Sequence, residues 1–463
     1  MTRLFVSAAH RSSGKTTVSL GLAAAFRARG LKVRPFKKGP DFIDPLWLGR
    51  AAGRPCYNLD FNTQSQDEIR ALFARALVGA DLALIEGNKG LHDGMDIEGR
   101  DSSAGLARLL DAPVLLVLDV TGITRGVAAV LAGQAGFDPE VAVRGVVLNR
   151  VVSARQETKL RQALERYSAI PVLGALPREQ DLIVKERHLG LTTPGDSDGA
   201  DLQIESMRRR IEQGVDLDRV LTLAREAAPW PRSISAATSP PHAADVVIGV
   251  ARDAAFCFYY EDDLDALSRA GARLEVFSPL TTDRLPPVDA LFIGGGFPET
   301  HLGALAANAS LRADIRAAAA DGMPIYAECG GLMYLCRSIQ YQGQDSAMVG
   351  VFPADAIMHD RPQGRGLMVL EDAPVAPWRV ATPAGIARYP AHEFHFARLE
   401  NLTGSPAFAR FVRRGDGIDG AHDGLVAGST LAGFAHLRDT QTCRWAESFV
   451  RFVRARKATR NAA

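Results

Sequence analysis

Charge of one sign is missing from this chain of 463 residues: Lys and Arg number 54 against 53 Asp and Glu, a formal net charge of +1. So balanced a surface excludes bulk electrostatic attraction to nucleic acid or to an anionic membrane, although a local basic pocket stays compatible with it. Long apolar runs are missing too. No stretch approaches the roughly 20 residues that a spanning helix needs, and Met1-Thr2-Arg3 leads straight into an apolar segment, which leaves no room for a signal peptide. Cysteine is scarce and scattered: Cys56, Cys257, Cys329, Cys336 and Cys443, none in a C-x-x-C pair. That pattern argues against a disulfide framework and against structural zinc. The expectation is a cytoplasmic protein with no membrane and no nucleic-acid partner.

What is present is the composition of a soluble enzyme, 47% hydrophobic and 23% charged, in a chain long enough for two or three cores. Short apolar runs at Leu4–Ala9, Lys32–Phe36, Leu82–Ile85, Pro113–Val120, Gly145–Leu148 and Val172–Leu176 alternate with helical stretches such as Val18–Arg29, Ala104–Leu110 and Glu157–Tyr167. Several runs are continuously apolar, as strands buried on both faces of a parallel sheet are. The rhythm predicts an α/β, doubly wound, mostly parallel sheet over residues 1–228, closed by one charged helix across Arg208–Ala228. Residues 229–244 begin P-W-P-R-S and contain four prolines, a composition that forms neither helix nor strand, and read as a linker. A second α/β rhythm occupies 245–455, with runs at Val246–Val250, Leu274–Phe277, Ala290–Ile293 and Pro324–Ala327, helices from Glu261 and near Leu311–Ala320, and later short strands at Leu425–Ala427 and Gly433–His436.

Leu4–Thr17 reads L-F-V-S-A-A-H-R-S-S-G-K-T-T, a strand, a turn and a helix start. This is the context of a phosphate loop, in which backbone N–H groups at a helix N-terminus cradle phosphates. Gly14 permits close approach, Lys15 supplies charge, and the Thr16 and Thr17 hydroxyls complete the nucleotide site, Thr16 also being placed to ligate Mg2+. The glycine usual at the start of such a loop is replaced by Ala8 and Ala9. Glu86 ends the strand of L-A-L-I-E-G, where such folds hold a magnesium ligand. K-K-G-P-D-F-I-D-P carries Asp41 and Asp44 in a loop stiffened by two prolines, and G-L-H-D-G carries Asp93. Loop carboxylates are usually solvated turn formers; after strands of a phosphate-loop domain they point to magnesium (Asp41 with Thr16 and Glu86) or to substrate (Asp44 and Asp93).

P-I-Y-A-E-C-G-G-L-M-Y-L sets Cys329 on a strand-to-helix turn, where a helix dipole is expected to lower the thiol pKa and the turn to expose the sulfur. The glycine run of F-I-G-G-G-F-P-E, with Gly295 and Gly296, joins Gly330 as a candidate oxyanion hole. His436 in G-F-A-H-L-R-D is the candidate base. The other four cysteines read as small buried hydrophobes.

These motifs, with G-R-P-C-Y-N-L-D and E-G-N-K-G-L-H-D-G, resemble in order and over nearly the whole chain the cobyrinic acid a,c-diamide synthase family. The resemblance implies a dethiobiotin-synthetase-like P-loop NTPase domain binding ATP and Mg2+, followed by a class I glutamine amidotransferase α/β domain. It implies Cys329 as nucleophile and His436 as base, Lys15, Thr16 and Glu86 serving MgATP, and Asp41, Asp44 and Asp93 where ATP meets substrate. Its partners are L-glutamine and a tetrapyrrole dicarboxylate, of the cobyrinate or hydrogenobyrinate type, with a homodimer as the assembly contemplated. The chemistry implied is amidation of the a- and c-acetate carboxylates through an acyl phosphate, with ammonia from glutamine. Family members often read H-x-H at the late histidine; this chain has His436-Leu437-Arg438, and Glu393 and Asp439 are the candidates for a third triad member. Asn88-Lys89 and His92, with Pro45-Leu46-Trp47-Leu48, are similar to homologues proposed to amidate sirohaem, which keeps that tetrapyrrole as the alternative. An alternative of another class is a P-loop ATPase switch carrying an inactive glutaminase module.

Overall fold

The computed structural model describes residues 1–178, 186–187, 190–191, 193–195, 199–230, 244–383 and 387–462. The chain divides into two compact units, Met1–Ala237 and Thr238–Ala463. Of the expected linker, residues 231–243 lie outside the described residues. Trp230 packs its ring 5.0 Å from that of Phe73, with the Arg3 guanidinium 5.4 Å from its centroid, so the segment's start belongs to the first unit's core.

In the first unit seven strands form one sheet: β1 (Arg3–Ala8), β2 (Val33–Lys38), β3 (Tyr57–Leu59), β4 (Leu82–Glu86), β5 (Val114–Asp119), β6 (Val143–Val151) and β7 (Val172–Pro177). Their spatial order is β3-β2-β4-β1-β5-β6-β7, and every pairing is parallel. Strands β1, β4 and most of β5 are buried along their length, the reason their sequences run apolar without alternation. Helices α1 (Lys15–Ala28), α2 (Ile43–Ala52), α3 (Gln66–Ala76), α4 (Ser103–Leu109), α5 (Gly126–Gly136) and α6 (Ala154–Tyr167) connect them. The single charged helix expected across Arg208–Ala228 is two, α7 (Ala200–Gly214) and α8 (Leu217–Arg225). Val215 is extended, and the Asp216 side chain accepts the Arg219 N–H to start α8, a capping signal hidden within a charged run.

The second unit is built on a nine-stranded mixed sheet. Its strands are β8 (Val246–Ala251), β10 (Ala272–Phe277), β11 (Ala290–Ile293), β13 (Ile325–Glu328), β14 (Gly364–Asp372), β15 (Arg388–His395), β16 (Ala407–Arg414), β17 (His422–Ala427) and β18 (Thr430–Gly433). The order is β10-β8-β11-β13-β18-β17-β16-β14-β15, parallel from β10 to β18 and antiparallel beyond. A two-stranded pair, β9 (Phe256–Phe258) with β12 (Gly295–Gly296), sits at the end of β11. Helix α9 (Glu261–Arg269) and the C-terminal α11 (Trp445–Ala462) cover one face, and α10 (Gly330–Leu335) follows β13. Trp445 is fully buried with its ring 5.2 Å from those of Phe292 and Tyr326. The strand expected at Gly433–His436 is earlier, ending at Gly433, so His436 lies just past it. All five cysteines are buried free thiols, and among the described residues no helix is long and apolar enough to cross a membrane.

Candidate active site

Each unit carries its own centre, and in the first it forms at the C-terminal ends of β1, β2 and β4, where an open parallel sheet changes winding direction. Ala8 ends β1 in register with Val117 and Ala9 follows in a bend, neither of them at a positive φ, so alanine suits the backbone where the glycine is missing. The left-handed turns come later, at Ser12 (φ 63°) and Gly14 (φ 91°). A Cβ on Gly14 would stand 2.1 Å from Asn149 Nδ2, which donates to the Ser13 carbonyl at 2.9 Å and pins the loop. Lys15, Thr16 and Thr17 form the first turn of α1, whose leading N–H groups have no intrahelical acceptor. Burial, and then the Lys37 charge, lowers the Lys15 pKa.

Register alone brings Lys37 to Glu86, because the two are Cα partners between β2 and β4. Glu86 is fully buried; its Oε1 accepts from Thr16 Oγ1 and from Lys37 Nζ, both at 2.8 Å, while its Oε2 has no hydrogen-bond partner among the described residues. Lys37 Nζ also reaches Asp44 Oδ2 at 2.5 Å. Burial opposes its charge, but Asp44 and Glu86 outweigh it and hold the ammonium pKa well above the ordinary value. Asp44 and Pro45 are not in a loop as expected but in the first turn of α2. Asp41 closes the turn before that helix, its Oδ1 accepting the N–H groups of Ile43 (2.9 Å) and Asp44 (3.0 Å). Asp93 is exposed and accepts the Gly90 N–H at 3.0 Å, and among the described residues no hydrogen bond or ion pair joins it to this cluster. His92 turns to the Gln134 carbonyl at 2.8 Å and packs against Phe137.

The described residues hold no preformed cluster of three His, Cys, Asp or Glu for a metal. Magnesium shared with phosphate oxygens needs only one or two protein carboxylates. A buried carboxylate with one unpartnered oxygen beside the Thr16 hydroxyl fits that requirement. Lys37 went unnoticed in the sequence, although a lysine two positions before the glycine of K-K-G-P-D was its signal.

In the second unit β13 ends in Glu328, and the chain turns sharply at Cys329 (φ 48°, ψ −104°) into α10. A non-glycine residue held there stores about 1–3 kcal/mol, a strain fixed by the Cys329 N–H donating to the Gly433 carbonyl at 2.7 Å. Gly331 must be glycine for close packing, since a Cβ would stand 2.2 Å from the Ile293 carbonyl. The sulfur's surroundings differ from expectation. Cys329 is 6% exposed, and burial, with Glu299 second, pushes its thiol up to about 12; α10 has only six residues, and the bond from Gly330 N–H offsets little. The resting group is a thiol that needs a base.

That base is at hand. β13 and β18 are paired with Glu328 opposite Gly433, and His436 follows three residues on. The His436 ring packs on the glycine run: a Cβ on Gly295 would meet its Cε1 at 2.7 Å, and a Cβ on Gly330 would meet Gly296 N at 3.1 Å. Gly295, Gly296, Gly330, Cys329 and His436 are thus brought together. Glu393 and Asp439 are not. Glu393 accepts the N–H groups of Asp416 (2.6 Å) and Gly417 (2.9 Å), and Asp439 accepts that of Ala446 (3.1 Å). The carboxylate beside His436 is Glu328, whose Oε2 is 3.3 Å from Nδ1.

Comparison with known proteins finds a family match in each half of the chain. Residues 6–191 match the CobQ/CobB/MinD/ParA nucleotide binding domain, and 247–440 match the CobB/CobQ-like glutamine amidotransferase domain. The cobyrinate a,c-diamide synthase of Magnetococcus marinus is 43% identical, covering 98% of this chain and 97% of that protein. Enzymes of the same name from Archaeoglobus fulgidus (39% identical, 98% of each chain) and Methanosarcina barkeri (37%, 98% of this chain and 96% of that one) match over similar lengths.

Proposed function

Because this chain belongs to the cobyrinate a,c-diamide synthase family of glutamine-dependent amide ligases, we propose that it converts the a- and c-acetate carboxylates of a cobyrinate- or hydrogenobyrinate-type tetrapyrrole to amides. The observation that carries this reading is that one chain holds a built centre for each half of the reaction: Glu86 and Lys15 at a phosphate loop, and Cys329 with His436 at a glycine-lined turn.

A carboxylate cannot be displaced by ammonia directly, because oxide is too poor a leaving group. Transfer of the γ-phosphoryl of ATP to the carboxylate gives an acyl phosphate, and ammonia displaces phosphate to leave the amide. Lys15 faces the transferring phosphoryl and offsets its charge. Thr16 and Glu86 would hold Mg2+, which supplies further charge neutralisation at the phosphates. Lys37 joins Glu86 and Asp44 by two short contacts and so fixes both carboxylates beside the loop. In the second unit the Cys329 sulfur attacks the carboxamide of glutamine, and the developing oxyanion meets N–H groups of the glycine run. Ammonia leaves and a glutamyl thioester remains for water to cleave.

The test is to incubate the protein with MgATP, glutamine and, separately, cobyrinate, hydrogenobyrinate and sirohaem, and to read the products by mass spectrometry. Two amides on cobyrinate or hydrogenobyrinate are expected. Amidation of sirohaem alone would overturn the substrate assignment.

A further inference from the structure

We propose that Glu328, the residue immediately before the nucleophile, is the positioning residue that fixes the ring tautomer of His436. The inference rests on reading the second unit as a Cys329-dependent glutaminase and adds to it the group that orients the base.

Glu328 is 4% exposed, a burial that a carboxylate tolerates only when its oxygens are satisfied. They are. Oε1 accepts the Leu437 N–H at 3.0 Å and the Tyr326 hydroxyl at 2.6 Å, and Oε2 faces His436 Nδ1 at 3.3 Å. Because Leu437 follows His436 directly, the same carboxylate holds the backbone and the ring of the base. The backbone of His436 is held from the other side as well, exchanging hydrogen bonds with His392 at 2.8 and 3.2 Å. Two residues beyond the histidine stands Arg438, paired through its guanidinium with Asp262 at 3.0 Å and lying over the Tyr260 ring. A carboxylate from that position is therefore absent, and the strand before the cysteine supplies one.

A carboxylate only accepts, so the ring nitrogen facing it carries the proton and Nε2 keeps its lone pair. As the Cys329 Sγ–carbon bond forms on the glutamine carboxamide, the thiol proton passes to Nε2. The imidazolium is stabilised by the facing Glu328 carboxylate and returns that proton to the departing nitrogen as the carbon–nitrogen bond breaks. The thiol's high pKa makes this transfer indispensable near neutral pH.

Glu328→Gln tests the proposal. The amide oxygen can still accept from Leu437 and Tyr326, while its NH2 donates to Nδ1, placing the ring proton on Nε2 where it cannot take one from sulfur. Glutaminase kcat should fall about 10²–10⁴-fold with little change in KM for glutamine, and should climb with pH through the alkaline range where the unmodified protein has levelled off. A kcat within twofold of the unmodified protein and the same pH profile would overturn the inference. Should the variant not fold, 15N spectra of histidine-labelled unmodified protein, with His436 assigned by its loss in His436→Gln, decide the matter: a proton on Nδ1 is expected, and one on Nε2 overturns it. Cys329→Ala separates this from the reading beneath it. If that variant keeps glutaminase activity, the glutaminase assignment fails; if it is inactive while Glu328→Gln is not, only the role of Glu328 fails.

Discussion

Asp41 is a carboxyl group whose surroundings work against its charge. Burial, with the neighbouring Asp44 next, raises its pKa to about 7, while in an unfolded chain it titrates near 4. Between those values the folded protein binds the proton more tightly than the unfolded one, so the group's contribution is fully present below about pH 4 and is lost as pH rises towards 7. Asn at this position keeps the Oδ1 acceptor that Ile43 and Asp44 use but cannot ionise. The unfolding midpoint of Asp41→Asn should therefore decline less than that of the unmodified protein from pH 4 to pH 7, as followed by circular dichroism. Parallel declines would show that Asp41 titrates normally. The same crowding explains Lys37: three carboxylates gather at the end of two strands, and one buried ammonium makes the gathering tolerable.

At the scale of elements, the second unit depends on how α11 seals the sheet. Trp445, Phe292, Tyr326, Trp378 and Phe449 form one aromatic cluster with ring centroids 5.2 to 6.0 Å apart. Trp445 is fully buried within it, and its indole N–H reaches Asp263 at 3.3 Å. Trp445→Ala should cost about 3–5 kcal/mol, read as the denaturant midpoint of the unit's transition, and a cost below about 1 kcal/mol would show that the cluster repacks. Tyr326 also donates to Glu328, so loosening α11 should lower glutaminase activity with it. Elements of this kind were legible in the sequence where burial on both faces left continuous apolar runs, as in β1, β4 and β11. They were not where another signal masked them. The extended residue between α7 and α8 lies in a charged run that reads as one helix, and β3 is three residues long in a stretch read only as a motif. Cys329, His436 and the glycine run could be read from residue type and setting, but Glu328 could not be linked to His436, 108 positions further along the chain, without knowing that β13 and β18 are neighbours. The thiol's burial was invisible for the same reason.

Over the whole molecule, each unit has its own core, and the proposed function gives each its own chemistry. If the first activates a carboxylate and the second only supplies ammonia, their losses are not symmetrical. Cys329→Ala removes the nucleophile, so amidation driven by glutamine should vanish while amidation driven by added ammonium persists. Lys15→Ala removes the ammonium group that faces the phosphates, so both amidations should fall by at least about 10²-fold, whereas hydrolysis of glutamine to glutamate continues. Binding supports the same division. MgATP at about 100 times its dissociation constant should stabilise the first unit by about 2.7 kcal/mol, a shift that Lys15→Ala diminishes and Cys329→Ala leaves alone. Calorimetry with and without nucleotide, beside amide and glutamate assays on the two variants, covers every arm. Ammonium-driven amidation that survives Lys15→Ala would refute activation at the phosphate loop, because ammonia alone has no means of displacing oxide from a carboxylate.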